Sequence, residues 1–414
     1  MPSLRFIFLA TLAATSRASV SVSFRPPSLI AASPALGVYA DHAFALTPST
    51  LFIQAGGFFE SVDGGATWRA SAGCASAPRS GGIDGSPVRL RDGSLRNFGA
   101  AAARVNATSF TSPNATIFSA RAGAGGLACA EAAGANISFT GLPAPTACGP
   151  RPAFGCPFRL DGGGLVALGD GSLLYAAMVF WGAPDDRGIA RTSLVAYGST
   201  DGGTTWAFRG TIAQAASLPA SQEGPNENSL SLLSDGATVA CVLRLDAGDG
   251  PDTHPFAHSA LRISRDGGAT WEDRGALPTA GAARPRLLHL GADGRGGVAP
   301  APLLLTGGRM RDPATNPSGW DILYWVCAAG DGEVFEGPHS LSAVHNALAP
   351  PAWRFSPALN DSAAPRQATS YTSILELDGG ADPARASREL GLTYNRALEG
   401  APNMLFFMPL TVAW

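Results

Sequence analysis

The segment STDGGTTW, from Ser199 to Trp206, has closely similar copies at two other places in the chain. This repetition is the strongest indication of the fold. SVDGGATW runs from Ser61 to Trp68 and SRDGGATW from Ser264 to Trp271. All three fit the pattern Ser-x-Asp-Gly-Gly-x-Thr-Trp, and each follows a run typical of a β-strand. An Asp carboxylate accepts hydrogen bonds from backbone N–H groups two residues on, and paired glycines supply the positive φ of a tight hairpin. The pattern therefore predicts a hairpin turn whose Trp packs on the neighbouring sheet.

The spacing of the three copies predicts the number of sheets. The first and second copies start 138 residues apart and the second and third 65 apart, so the longer gap holds about two of the shorter units. The chain beyond its N-terminal segment then holds about six units. A ring of four-stranded antiparallel blades covers the sheet faces and leaves only short edges. We therefore expect an all-β, six-bladed propeller over residues 20–414, with four antiparallel strands per blade and little helix.

A weaker repeat, an apolar strand followed by an Asp-Gly turn and a second apolar strand, supports this architecture. It occurs at Ser86–Leu95, Leu165–Trp181, Ser229–Arg244, Leu287–Arg309 and Ser373–Gly380. We expect these segments to be inner hairpins, whose ends lie near the central axis. Residues 100–150, rich in Ala, Gly and Ser, are expected to form the least regular blade and to carry a long exposed loop.

The composition excludes several function classes. The net charge of −3 gives no basic footprint for nucleic acid. All 29 basic residues are Arg, which excludes a Schiff-base lysine, a pyridoxal phosphate attachment and a Walker lysine. We expect neither a metal nor an organic cofactor, because no metal-ligand cluster is present; His254 and His258 are interpreted as loop residues.

The N-terminus predicts secretion. Residues 1–19 have a basic start, an apolar run from Phe6 to Ala14 and small residues through Ser19, which is typical of a signal peptide. That run is too short to span a bilayer, and no later stretch contains about 18 uninterrupted apolar residues, so no integral membrane segment is expected. Four glycosylation sequons agree with a secreted chain. They begin at Asn106, Asn114, Asn136 and Asn360.

Six cysteines allow up to three disulfides, and their dispersed positions lack metal-site spacing. The pairing favoured by the sequence is Cys148 with Cys156.

The eight-residue pattern resembles the Asp box, or bacterial neuraminidase repeat, which recurs in sialidase β-propellers and is structural there. The segment FRPPSLIAASPALG, from Phe24 to Gly37, also resembles the Phe/Tyr-Arg-Ile-Pro segment that opens the sialidase propeller, with Pro26 in place of Ile. The resemblance places Arg25 at the first of three arginines that grip the carboxylate of sialic acid. Three converging guanidinium groups neutralise and orient such an anion. The alternative is an arginine at a processed terminus.

The segment EGPNENSLSLLSDGATVACVLR, from Glu223 to Arg244, resembles the family's glutamate, strand, Asp-Gly turn, strand and arginine. Glu227 matches the glutamate, and Arg244, 17 positions later, matches the second arginine. Both are expected at the same end of one hairpin. The alternative is an ion pair that only lines the mouth of the propeller.

The third arginine has three candidates. Arg309 ends the strand of LLLTGGR and has the context of the family's third arginine, so the resemblance favours it. Arg284 begins the preceding strand in ARPRLLHL, and Arg311 follows the first candidate closely.

Tyr371, in TSYTSILELDG, resembles the family's late tyrosine at the start of the last inner strand. A sialic acid carries a carboxylate beside its anomeric carbon, which repels an anionic nucleophile but not a neutral phenol. The resemblance implies that Tyr371 attacks that carbon while Glu227 takes the phenolic proton, the tyrosine exception among glycosidases. The alternative is an aromatic residue that simply packs in a strand.

Two features depart from the family pattern. The Glu-Gly-Arg segment that precedes the general acid is missing; the nearest candidates are Asp41, which we favour, and Glu60. The family's late Tyr-Glu pair, whose glutamate steadies the first arginine, is here Tyr394-Asn395.

The resemblance implies a secreted exo-α-sialidase that removes terminal sialic acid from sialylated glycoconjugates with retention of configuration. One rival is a non-catalytic sugar-binding propeller, which the missing acid segment favours. A second is an Asp-box scaffold protein, since a fold does not fix a function. The scaffold has no need for Glu227, Arg244 and Tyr371 around one axis.

Overall fold

The computed structural model describes most of the chain, with gaps. The described residues are 19–33, 43–55, 57–71, 88–90, 95–99, 103–106, 108–123, 126–143, 158–159, 164–180, 191–218, 221, 224–246, 258–280, 284–291, 301–308, 321–355, 371–377, 386–397 and 402–414. The expected signal peptide and the Cys148–Cys156 pair lie outside them.

The regular structure of the described chain is almost entirely β-strand. The strands of the first half are β1 (Ser21–Phe24), β2 (Ser28–Ser33), β3 (Ala43–Ala45), β4 (Leu51–Gln54), β5 (Phe58–Ser61), β6 (Arg69–Ala70), β7 (Val88–Arg89), β8 (Leu95–Gly99), β9 (Ala103–Asn106), β10 (Ser109–Gly123), β11 (Gly126–Thr140), β12 (Phe158–Arg159), β13 (Leu165–Ala167), β14 (Leu173–Phe180), β15 (Thr192–Ser199) and β16 (Thr205–Ala213). Those of the second half are β17 (Gly224–Leu232), β18 (Val239–Asp246), β19 (His258–Ser264), β20 (Glu272–Ala280), β21 (Arg286–His289), β22 (Leu303–Gly307), β23 (Leu323–Cys327), β24 (Glu336–Ser340), β25 (Ser373–Glu376), β26 (Ser387–Arg396) and β27 (Asn403–Ala413).

Helix is scarce in the described residues, as the sequence predicts. One α-helix, α1 (Leu341–Leu348), and two 3-10 turns, Ala215–Ser217 and Pro351–Trp353, occur there. None of these helices is long and apolar enough to cross a membrane.

The strands form an all-β propeller with five sheets. Three sheets have four strands in chain order, namely β3–β6, β17–β20 and β21–β24. A fourth has the order β1-β27-β26-β25, with β2 also on β27. The fifth has ten strands in the order β12-β14-β15-β16-β11-β10-β8-β7, with β13 beside β14 and β9 beside β10.

The predicted count of six blades is therefore wrong, and the ten-stranded sheet explains the difference. Its two antiparallel halves, β7 to β11 and β12 to β16, are joined because β11 pairs in parallel with β16 between Ser138–Thr140 and Thr205–Ala207. The spacing of the turn pattern counts repeated units of chain, but it carries no signal for hydrogen bonds between two units.

The region 100–150 also differs from the expectation of an irregular blade with a long loop. Strands β10 and β11, of 15 residues each, pair as one long antiparallel hairpin from Phe110↔Phe139 to Gly123↔Gly126. Two register shifts interrupt the ladder near Ala115. In the described part of this region the chain therefore forms a strand hairpin with an irregular ladder.

Five strands, one from each sheet, pack against one another in succession and form the inner lining. β17 contacts β14 and β21, β21 contacts β25, and β25 contacts β3. The last sheet combines both ends of the described chain, since β1 and β2 pair with β27. This pairing closes the ring with hydrogen bonds instead of leaving β27 as an exposed edge.

Hydroxyl side chains link neighbouring inner strands. In β17, Ser229 and Ser231 lie two positions apart and therefore on one face, and their Oγ atoms accept from the backbone N–H groups of Leu287 and His289 in β21, at 3.0 and 2.9 Å. These bonds satisfy inner-edge donors that have no strand partner. The relative height of β17 and β21 is thereby fixed.

The three predicted turns share one geometry. In the second copy, Asp201 Oδ1 accepts from the backbone N–H groups of Thr204 and Thr205, at 3.0 and 2.9 Å, and Oδ2 accepts from the Thr205 hydroxyl at 2.7 Å. The donors thus lie three and four residues on, rather than the two expected. Ser199 Oγ donates to Asp201 and accepts from Gly203 N–H. In the first copy, hydrogen bonds from Thr67 lower the pKa of Asp63 to about 2.

The first and third turns each pack on another unit of the ring, which explains their second glycines. A Cβ at Gly65 would lie 2.1 Å from the Phe407 ring, and one at Gly268 would lie 2.6 Å from Leu174. Their φ angles are +89° and +92°. The Trp68 ring stands edge-on to Phe407 of the last sheet, at 5.5 Å between centroids. The prediction that the Trp packs on the neighbouring sheet is confirmed for this copy.

Two histidines are buried in the core. His345 of α1 joins Tyr394 Oη through Nδ1 (2.8 Å) and the Trp353 carbonyl through Nε2 (3.0 Å). Burial lowers the pKa of His345 to about 4 and that of His289 to about 4. The described cysteines Cys241 and Cys327 are buried free thiols.

Lowering the pH from 7 to 5 should reduce the free energy of unfolding. His289 and His345 are neutral when folded, whereas the unfolded chain protonates them near pH 6.5, so stability is lost as the pH falls from 6.5 towards 4. Each histidine should account for about 2 kcal/mol at pH 5. Urea unfolding at pH 7, 6 and 5 measures the loss, and His345→Gln should reduce its slope. Equal stability at pH 7 and 5 would contradict this.

Candidate functional site

The site is centred on Glu227, which a β-bulge presents at the start of an inner strand. β17 pairs Pro225 with Leu245 and then Asn228 with Leu243, so two residues, Asn226 and Glu227, oppose only Arg244. An extra residue of this kind bends a strand and redirects its side chain. The segment GPNENS, which begins with Gly224 and Pro225, thus turns the glutamate towards the inner mouth of the ring.

Within the described residues, three groups donate hydrogen bonds to the Glu227 carboxylate. Tyr371 Oη donates to Oε1 at 2.6 Å, and Arg244 Nη1 donates to Oε2 at 2.6 Å. The backbone N–H of Arg284 also donates to Oε2, at 2.8 Å. The side chains of Arg244 and Glu227 are only 10% and 12% exposed. The carboxylate therefore lies in a largely dry, fully oriented setting.

These groups come from three sheets. Glu227 and Arg244 lie in β17 and β18, Arg284 lies two residues before β21, and Tyr371 lies two residues before β25. Because β17 contacts β21 and β21 contacts β25, the starts of their inner strands meet at one end of the ring. The predicted grouping of Glu227, Arg244 and Tyr371 at one end of the propeller agrees with this geometry.

Electrostatics keep the phenol of Tyr371 neutral. Burial and the neighbouring Glu227 charge raise the pKa of Tyr371 well above its ordinary value, although Arg244 and Arg284 oppose the shift. The Arg284 guanidinium carbon lies 5.3 Å from the Tyr371 ring centroid. Among the described residues, two guanidinium groups thus flank one carboxylate and one neutral phenol.

The structure does not bring Arg25 to this cluster. Its guanidinium pairs with Glu389 at 2.5 Å, and both side chains are about half exposed. The backbone carbonyl of Glu389 accepts from the N–H of Leu377 at 2.9 Å. Leu377 lies six residues after Tyr371 along the last inner strand. At about 3.3 Å per residue this is about 20 Å. The expected role of Arg25 is thus not supported, because β1 pairs with the last part of β27, away from the start of β25.

Four other sequence candidates either lie outside the described residues or are described at another place in the fold. Asp41, Arg309 and Arg311 lie outside the described residues. Glu60 accepts from Arg69 Nε at 2.8 Å and from Ser71 Oγ at 2.9 Å, within the β3–β6 sheet. In the described residues, no group of three or more His, Cys, Asp or Glu side chains is arranged to hold a metal ion.

Arg284, which the sequence resemblance gives only as an alternative to Arg309, is a member of the cluster. It is buried and has a φ of +43°, and it is the one non-glycine residue with positive φ in the described chain. The feature of Arg284 that the sequence shows is its position. It lies two residues before an inner strand, as Tyr371 does. Its left-handed backbone, which directs the N–H to Glu227, leaves no such signal.

The Tyr394-Asn395 pair also has a structural explanation. Tyr394 is fully buried and bonds His345, and Asn395 is buried beside it in β26. Arg25 pairs instead with the acidic Glu389 at the start of that strand.

The arrangement suits nucleophilic chemistry near an anion. A carboxylate within 2.6 Å of a phenolic oxygen can remove its proton when the oxygen attacks an electrophile. Guanidinium groups beside the pair attract a carboxylate or a phosphate on the ligand.

Comparison with known proteins supports the fold. No protein-family profile matches the chain, and a search of curated proteins finds no match. Among solved structures, a protein of unknown function from Dyadobacter fermentans aligns with a TM-score of 0.54 and 15% identity, over 94% of this chain and 98% of that one. A Penicillium chrysogenum α-L-arabinanase complexed with arabinobiose aligns with a TM-score of 0.52 and 13% identity, over 93% and 98%.

A mutant Trypanosoma rangeli sialidase that displays trans-sialidase activity aligns with a TM-score of 0.50 and 13% identity. The alignment covers 93% of this chain and 54% of that chain. At such identities the likeness shows a shared β-propeller fold and nothing more specific.

Arg244→Met should destabilise the folded protein, because it leaves the buried Glu227 charge without this ionic partner. Breaking a buried pair in this way costs about 3 kcal/mol or more. The double variant Arg244→Met/Glu227→Gln should recover most of the loss, since it removes both charges. Urea unfolding near neutral pH compares the variants. If the double variant were no more stable than the single one, the ion pair would not be the cause.

Proposed function

We propose that this protein is a retaining glycoside hydrolase, an exo-α-sialidase that removes terminal sialic acid from glycoconjugates. The observation that carries the proposal is the 2.6 Å hydrogen bond from Tyr371 Oη to Glu227 Oε1, in a cluster with two guanidinium groups. Its fold, shared with propellers that include an arabinanase and a sialidase, agrees with a sugar substrate.

In the first step, Tyr371 Oη attacks the anomeric carbon and passes its proton to Glu227 Oε1. The bond from that carbon to the leaving oxygen breaks, and the leaving oxygen takes a proton from a general acid. In the second step, water attacks the same carbon from the opposite face and gives its proton to the general acid, which lost its own proton in the first step. The tyrosine oxygen departs and recovers its proton from Glu227, so each displacement inverts the centre and the configuration is retained overall.

A phenol paired with a glutamate suits a substrate that carries a carboxylate next to its reacting carbon. A carboxylate nucleophile would be repelled by that group, whereas Tyr371 is neutral until its proton leaves. Arg244 and Arg284 supply positive charge near the pair and would attract the sugar carboxylate. Arg309 remains the proposed third arginine, and Arg284 remains the alternative to it, supported by its contacts with Glu227 and Tyr371.

The general acid in this proposal is Asp41. It precedes β3, and the inner strand β3 contacts β25, which Tyr371 precedes. The proposal also includes secretion, with residues 1–19 as signal peptide, which suits sialylated substrates outside the cell.

Arg244→Ala should weaken the binding of a sialic acid analogue by at least tenfold. A buried charge-assisted hydrogen bond contributes about 1.5–3 kcal/mol. Arg25→Ala should change the affinity far less, because its ion pair with Glu389 is half exposed and distant. Isothermal titration calorimetry on folded variants measures both. Unchanged affinity in Arg244→Ala would remove Arg244 from the sugar site.

Asp41→Ala should slow substrates with poor alcohol leaving groups by about 10²–10⁴-fold, the loss typical of acid–base catalysis. Aryl sialosides should suffer far less, because an aryloxide departs without protonation. Tyr371→Phe should slow the hydrolysis of both substrate classes, because both react through the same nucleophile.

Steady-state kinetics on one alkyl and one aryl sialoside tests the assignment. Equal activity of the wild type and Asp41→Ala on both substrates would exclude Asp41. Sugar binding by the wild type without turnover of either substrate would favour a non-catalytic, sugar-binding propeller.

A further inference from the structure

Arg284 contacts both members of the Glu227–Tyr371 pair through two different groups. Its backbone N–H donates to Glu227 Oε2 at 2.8 Å, while its guanidinium carbon lies 5.3 Å from the Tyr371 ring centroid. The residue is 5% exposed. A single residue therefore links the two groups that must exchange a proton.

The backbone of Arg284 is in an unusual conformation that makes both contacts possible. With a φ of +43° it lies in the left-handed region, which non-glycine residues seldom adopt and which disfavours an arginine. Such conformations occur where the surrounding structure enforces them, frequently at functional sites. Here the surroundings include β21, which Ser229 and Ser231 of β17 hold in place.

We propose that Arg284 is a positioning residue for proton transfer: its backbone N–H orients the Glu227 carboxylate, and its guanidinium favours departure of the Tyr371 proton. This inference rests on the proposed function only in treating the pair as base and nucleophile. It gives Arg284 a task in the absence of substrate, which a residue that only binds the sugar carboxylate would not have.

The orienting role follows from which donors bind each oxygen of the Glu227 carboxylate. Oε2 accepts from Arg244 Nη1 and from Arg284 N–H, so the carboxylate is held with Oε1 towards Tyr371. Both donors stabilise the charged carboxylate and thus make it a weaker base. The proton therefore needs assistance from the tyrosine side to leave.

The guanidinium of Arg284 supplies that assistance. When the proton moves from Tyr371 Oη to Glu227 Oε1, negative charge develops on the phenol, and a cation near its ring face becomes more strongly attracted. Three described charged groups act on this phenol, namely Glu227 from β17, Arg244 from β18 and Arg284 from the segment before β21. Glu227 raises the pKa of Tyr371, while Arg244 and Arg284 lower it.

The test measures the Tyr371 titration without any substrate. A polyfluorinated tyrosine, whose phenol is more acidic, is placed at position 371 of the full chain and followed by ¹⁹F NMR. Arg284→Met and Arg284→Gly should each raise its pKa by about one unit, the size of a partly buried cation–π interaction. Arg274→Met is the matched control, since Arg274 lies in β20, the outermost strand of its sheet.

The two Arg284 variants separate tuning from structural effects. Gly adopts a positive φ without strain and keeps the backbone N–H, so Arg284→Gly should melt at or above the temperature of Arg284→Met. A merely structural residue would change the melting temperature and leave the Tyr371 pKa where it is. Arg284→Lys, which keeps the charge but not the planar group, should restore part of the shift.

Kinetics gives a second readout. Arg284→Met and Arg284→Gly should lower kcat on an aryl sialoside about tenfold, in line with the pKa shift, and Arg284→Lys should recover part of it. An unchanged Tyr371 pKa in both variants would overturn the inference, as would a loss confined to KM. Full activity of Tyr371→Phe would contradict the proposed function. The NMR titration uses no substrate, so its result tests the role of Arg284 independently.

Discussion

The hydrogen-bonded carboxylate of Glu227 is the point at which three sheets of the propeller meet. The partners that the structure describes, Tyr371, Arg244 and the Arg284 backbone, come from the β25, β18 and β21 regions. A buried carboxylate needs such partners, because an uncompensated charge in a dry setting is strongly destabilising. The same bonds that make the carboxylate tolerable in the folded protein also leave it oriented towards a phenolic proton.

The approach of these sheets is set by small polar residues rather than by the apolar core alone. Hydroxyls at Ser229 and Ser231 accept from β21, and Thr306 Oγ1 bonds Thr372 Oγ1 at 2.7 Å next to Tyr371. Because interiors are close-packed, a shift of one inner strand would be felt at the next. The repeated Asp turns hold the outer parts of the ring, and the hydroxyls fix the inner strands that carry the site.

The sequence predicts much of this and misses what depends on distant pairing. The Ser-x-Asp-Gly-Gly-x-Thr-Trp turns and the grouping of Glu227, Arg244 and Tyr371 follow from local pattern and resemblance. The sheet count was wrong because β11 pairs with β16, and Arg25 was misplaced because β1 joins the last sheet. The contacts of Arg284 could not be predicted, because a left-handed backbone at an arginine is a property of its surroundings, which no local pattern encodes.

In the proposed mechanism Tyr371 forms the covalent bond to the sugar, and this role can be tested by trapping that bond. A fluorinated sialic acid with a good leaving group is expected to form the glycosyl-enzyme quickly and release it slowly. Mass spectrometry of the digested protein should then locate the added sugar on the peptide that contains Tyr371, and on no peptide of Tyr371→Phe. Rapid turnover of sialosides with the label on another residue, or with no label on Tyr371 at any time, would contradict the account.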